Sequence, residues 1–263
     1  MPSTRPQRPY NVAYYARNRD AEIARVTRRQ QATLAWLREL RQVPCMDCGG
    51  VFPPHVMDFD HRDPKTKSFS LVADHTLLKS RAVLEAEIAK CDIVCANCHR
   101  IRTATQIANG DIARGFLPSD VPPATPQAAK HREAWHRRRR EQMELLIRIR
   151  QLPCMDCGKT YPVCAMEFDH RNGAEKVALV SQLPGRVKIA TLLEEIAKCD
   201  IVCTNCHRDR SFQRRFEPAG VAQLARATAL QAVGRGFETR LPLSSPEQLR
   251  LIEESASPYP YAA

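Results

Sequence analysis

The chain has 263 residues, with 40 Lys and Arg against 29 Asp and Glu, a formal net charge of +11, and 11 cysteines. Its pI near 9.3 points to a polyanionic partner more than to an acidic small molecule, and a 6% aromatic content does not favour base-stacking platforms for single strands. The N-terminus from Met1 to Tyr10 lacks the apolar core of a signal peptide, and no apolar run approaches membrane-spanning length. A cytoplasmic setting is therefore expected, in which paired cysteines serve as metal ligands rather than as disulfides.

Taken in chain order, residues 1–19 read as a basic, irregular arm. Residues 20–42 predict a helix, with Ile23, Val26, Leu34, Leu37 and Leu40 on one face and Arg25, Arg28, Arg29, Arg38 and Arg41 around it. Pro44 ends it just before the first cysteine pair. Residues 51–54 and 56–59 predict two short extended segments around a turn. Residues 80–90 predict a helix with Val83, Leu84 and Ile88 inward, and Cys95 to Ile107 a tight knuckle that opens another short helix. Residues 111–130 carry four prolines and no sustained periodicity, which marks a linker. A second basic helix, from about Ala128 to Gln151, contains Arg137, Arg138, Arg139 and Arg140.

The plan then repeats, about 109 residues on. PCMDCG recurs at 44–49 and 153–158, FDHR at 59–62 and 168–171, and EIAKCDIVC at 87–95 and 195–203. Two copies at this period mean tandem domains rather than a solenoid: 20–110 with its leading helix, and 131–217 with its own. Each holds two Cys-x-x-Cys pairs about 46 residues apart, Cys45, Cys48, Cys95 and Cys98 in the first and Cys154, Cys157, Cys203 and Cys206 in the second. Four thiolates close a tetrahedral zinc centre with no open position for a substrate. Gly49 and Gly158 permit the bend that follows each first pair. In domains of roughly 85 residues a hydrophobic core alone is marginal, so such a metal is structural. Cys91, Cys199 and Cys164 lie outside the sets and are expected to be buried thiols.

Each repeat leaves an acid and two imidazoles unspent. Asp60 and His61 follow an extended segment, and His99 directly follows the last zinc cysteine, so the zinc would pin His99 beside the strand end. One carboxylate and one imidazole, with positions open to water and phosphate, suit a hard or borderline divalent cation. His61 points to the other side of the strand from Asp60, where a general base would meet water. That arrangement suits phosphodiester hydrolysis.

Cys-x-x-Cys, Phe-Asp-His and Cys-x-x-Cys-His in this order resemble the HNH endonucleases, the zinc-bearing members of the ββα-metal superfamily, over about 45–108 and 154–215. The resemblance implies a small α+β fold made of two tandem zinc-stabilised ββα-metal (HNH) domains, each preceded by a basic helix. It implies a metal-dependent endonuclease acting on DNA, with His61 and His170 as general bases. Asp60, His99, Asp169 and His207 would hold a catalytic Mg2+ or Mn2+, and the eight cysteines one structural Zn2+ per domain. Such domains usually carry an Asn shortly before the third zinc cysteine. Here Lys90 to Val94 and Lys198 to Val202 contain none, Asn97 and Asn205 lie inside the knuckles, and the group that orients the base is left open.

The basic helices would neutralise phosphates without reading sequence, so double-stranded nucleic acid is the expected partner, with no membrane. The rival expectation is a zinc-stabilised nucleic-acid-binding protein without catalysis. Residues 218–263 are expected to be a disordered tail. Residues 221–227 and 236–240 resemble the translation of a transfer-RNA gene's D- and T-arms, and no function is assigned to them.

Overall fold

The computed structural model describes residues 12–71, 74–111, 124–171 and 173–216. The expected tail and most of the expected linker lie outside them. The described residues form an α+β protein of six helices and two two-stranded sheets. The chain divides into two compact units, Met1–Ile93 and Val94–Ala263.

In the first unit the leading helix α1 runs over Val12–Leu40, starting within the stretch expected to be irregular. No proline falls between Val12 and Leu40, so nothing in that stretch interrupts the backbone ladder. Toward its C-terminal end Leu37 is buried, whereas Ile23 and Val26 are exposed. Arg41 closes the helix by donating from Nε to the Leu37 carbonyl at 3.0 Å. Strand β1 covers Met57–His61. The segment around Pro53 and Pro54, read as extended, forms no strand, because proline has no N–H to give a ladder. The partner of β1 is instead β2, Cys91–Cys95. Between them α2, Arg81–Ile88, starts at Ser80, whose hydroxyl accepts from the Val83 N–H. It turns Leu84 and Glu87 inward and leaves Val83 exposed.

The second unit opens with α3, Ala96–Ala108, and continues with α4, Pro126–Ile149. Thr125 caps α4 by accepting from the Ala128 N–H at 3.1 Å, with Pro126 in the first turn where its missing N–H is not needed. Strands β3, Met166–His170, and β4, Cys199–Cys203, pair antiparallel, with Asp169 opposite Asp200 and His170 opposite Cys199. Helix α5, Ile189–Ile196, lies between them in sequence, and α6, Thr204–Phe216, follows β4. The core gathers Leu145, Leu146 and Ile149 of α4 with Met166, Leu192, Ile196 and Ile201.

Helix α3 packs with α6, although the repeat pattern assigns it to the first domain. The link is reciprocal: the Asn97 N–H donates to the Asn205 side-chain oxygen at 2.9 Å, and the Asn205 N–H to that of Asn97 at 3.0 Å. Each asparagine thus satisfies a first-turn N–H of the other helix, one of those that a helix leaves unbonded. Asn97 also favours the thiolate of Cys203.

Candidate functional site

Both knuckles are built alike. The Cys45 N–H donates to the Gly50 carbonyl and the Gly49 N–H to the Cys45 carbonyl, each at 2.9 Å. Cys154 with Lys159 and Gly158 with Cys154 repeat this at 2.9 and 2.8 Å. Gly49 and Gly158 take φ of +66° and +68°, a backbone state that side chains disfavour. The knuckles are tied to the second strands, Met46 N–H to the Ile93 carbonyl at 3.0 Å and Met155 N–H to the Ile201 carbonyl at 2.9 Å.

This construction brings the sulfurs of Cys45, Cys48, Cys95 and Cys98 within 4.8 Å of one another, and likewise those of Cys154, Cys157, Cys203 and Cys206. Zinc bound at about 2.3 Å to four sulfurs sets tetrahedral edges of about 3.8 Å, which lies inside that limit. The donor set is all soft thiol, which suits a structural metal such as zinc, one per repeat. In the second group, hydrogen bonds from Cys203 and Cys206 drive the Cys154 thiol down, while the Cys203 thiol is pushed up to about 11 by its bond to Cys154. The thiols compete for charge that one dication would let all of them carry. Cys91 and Cys199 belong to neither group. They donate to the Glu87 and Glu195 carbonyls, and burial followed by the nearby Glu charge pushes them up to about 11 and 12.

The two expected bases close β1 and β3, and both are 7% exposed. His61 Nε2 lies 2.8 Å from Glu87 Oε1, and His170 Nε2 lies 2.7 Å from Glu195 Oε1. Each glutamate is buried and held by more than the histidine. Glu87 accepts from the Ser68 N–H at 2.7 Å and from Lys90 Nζ at 2.7 Å; Glu195 accepts from the Val177 N–H at 3.0 Å and from Lys198 Nζ at 2.7 Å. Burial alone would raise these carboxyls. The lysine, histidine and backbone donors outweigh it and hold both at about 2. An ionised carboxylate can only accept, so the imidazole must donate from Nε2, and in its neutral form keeps its lone pair on Nδ1. The sequence reading missed Glu87 and Glu195, although the recurrence of EIAKCDIVC contained them.

Arg62 and Arg171, next in sequence, brace the same corner. They donate to the Cys91 and Cys199 carbonyls and pair with Asp92 and Asp200 at 3.1 and 3.0 Å.

Asp169 turns away from its neighbour His170, toward α6. His207 Nε2 comes within 3.4 Å of Asp169 Oδ1, so the structure does bring this acid and this imidazole together. Two arginines of α6 share the carboxylate. Arg214 grips it with both nitrogens, at 2.8 Å to Oδ1 and 2.6 Å to Oδ2. Arg210 reaches Oδ2 at 2.9 Å, Asp200 at 2.9 Å, and both oxygens of Asp156 at 2.7 Å. Burial would raise the Asp169 carboxyl, and these guanidiniums reverse that and lower it. His207 Nδ1 is bonded to Glu167, which also pairs with Arg100. In the first repeat, Asp60 lies buried in β1 and His99 in the first turn of α3. Arg102 stands where Arg210 does, and Gln106 where Arg214 does.

No family model, curated protein or solved structure matches the chain. Among the described residues, no helix is long and apolar enough to cross a membrane.

Proposed function

We propose that the protein is a metal-dependent endonuclease of the ββα-metal (HNH) type that hydrolyses phosphodiester bonds in DNA. The observation that carries this reading is the buried histidine–glutamate pair at the end of the first strand. A buried carboxylate costs free energy unless it is well partnered. Here it is partnered by a lysine, backbone N–H groups and an imidazole, at the position where the motif places the base. Glu87 thereby fills the role left open in sequence, fixing the tautomer and orientation of His61. His61 takes a proton from water at Nδ1, and Glu87 stabilises the imidazolium that forms.

Asp60 and His99 offer the oxygen and nitrogen donors that a hard or borderline divalent cation takes. When bound, Mg2+ or Mn2+ supplies positive charge at the phosphate and the leaving 3′ oxygen. The net charge of +11 and the exposed arginines of α1 and α4 support a duplex backbone as substrate. His170, Asp169 and His207 repeat the residue types in the second copy.

The rival reading, a zinc-stabilised nucleic-acid-binding protein without catalysis, draws support from the arginines on Asp169. Supercoiled plasmid separates the two. Zinc-loaded protein with Mg2+ or Mn2+ should nick it, and the His61→Ala/His170→Ala variant should lose about 10²–10⁴-fold in rate while still retarding DNA. Retardation without nicking by the wild type would leave only the binding protein.

A further inference from the structure

A residue of the first repeat reaches the second four-sulfur group. Asn97 stands between Cys95 and Cys98 in sequence, in the first turn of α3, and is 2% exposed. Its carboxamide is held at one end, where Oδ1 accepts the Asn205 N–H at 3.0 Å; Asn205 lies inside the Cys203-x-x-Cys206 turn. A backbone N–H can only donate, so this bond also fixes which end of the amide is oxygen. The other end, Nδ2, is buried with no hydrogen-bond partner among the described residues. A buried donor without an acceptor is unfavourable, and native folds seldom keep one without a reason. The sulfur that Asn97 influences supplies the reason, since Asn97 favours the thiolate of Cys203. A thiol sulfur is a weak acceptor, whereas an ionised one accepts strongly.

We infer that Asn97 donates from Nδ2 to the metal-bound sulfur of Cys203, so that the first repeat supplies a positioning residue for the second repeat's metal. Four thiolates around one dication leave a surplus of negative charge, and N–H donors to sulfur spread it. One such donor belongs to the second repeat itself: the Cys203 N–H bonds Cys154 Sγ at 3.2 Å. Asn97 adds another from outside it. A metal that keeps Cys203 ionised gives Nδ2 its acceptor, so metal binding and the link between α3 and α6 strengthen each other. This role is the same whether or not the protein cleaves DNA.

Cadmium, a soft ion that takes the same four thiolates, tests this on the full chain. Cadmium NMR reports each centre as its own resonance, and the second centre's is the one lost in Cys154→Ser. Asn97→Asp keeps an oxygen for the Asn205 N–H but replaces the donor with an acceptor. The second resonance should shift, and zinc at that centre should bind about 10–100-fold more weakly in competition with a chromophoric chelator. A second-centre resonance and affinity that stay at their wild-type values, or a loss confined to the first centre, would overturn the inference. The wild type gives a reading that no variant's misfolding can spoil. The Asn97 side-chain amide proton should couple to cadmium through the Cys203 sulfur, and its lack of coupling in the fully loaded chain would equally overturn the inference.

Discussion

The knuckles that carry the thiolates are built the same way in both repeats, and the helices that follow them are not. Gly49 and Gly158 share a left-handed φ, their neighbours share the same turn bonds, and Glu87 and Glu195 are held by equivalent donors. Helix α6, by contrast, sets Asp209, Arg214 and Arg215 where α3 has Ile101, Gln106 and Ile107. The shared parts are those on which folding depends. A small domain needs its metal-binding knuckles and a satisfied buried carboxylate whatever it does. The charge that the following helix carries is not fixed by the shared scaffold, and it differs between the repeats. Likeness in the scaffold is therefore no warrant for likeness in the chemistry.

Breaking the scaffold should strike both repeats equally and hardest. Cys45→Ser and Cys154→Ser should each lose one zinc equivalent and the structure of their own repeat, because thiolate–zinc binding contributes on the order of 10 kcal/mol to folding. Zinc content and circular dichroism measure it, and a folded, zinc-loaded Cys154→Ser would separate the repeats where they are held to be alike. Next in size come Glu87→Ala and Glu195→Ala. Each leaves a buried histidine and a lysine without their carboxylate, at a cost of about 3–5 kcal/mol by chemical denaturation. Equal losses in the two keep the comparison; a loss in one alone breaks it.

The same glutamates set an acid dependence. Both are lowered from 4.5 to about 2, so their contribution is complete above the unfolded value near 4.5 and disappears as pH falls toward 2. The stability gap between wild type and a Glu87→Gln/Glu195→Gln variant should hold steady above pH 4.5 and shrink below it. A gap that widens on acidification would reverse the assigned charge. The smallest effect belongs to Arg214→Gln, at about 1 kcal/mol or less, since a half-exposed guanidinium is well screened.

Much of the scaffold was legible in sequence. The paired cysteines at ligand spacing announced the four-sulfur groups, and the glycines after them announced the bends. The inward faces were harder to read. Hydrophobic periodicity placed Val83 inside α2, but the helix turns Glu87 inward instead, because the lysine, histidine and backbone donors that satisfy it come from separate parts of the chain. Residues 91–94 drew no predicted element, although they form β2 with Cys95. Their strand character depends on a partner some 30 residues away, which a local pattern cannot show. Arg210 and Arg214 carried no motif in sequence, since guanidinium pairing to Asp156 and Asp169 crosses more than 40 positions.

Single-turnover cleavage of plasmid DNA by His61→Ala and His170→Ala, side by side at equal zinc content, bears most directly on where the chemistry sits. Cleavage should fall by about 10²-fold or more in the first. Cleavage untouched by His61→Ala, or lost only with His170→Ala, would contradict the account.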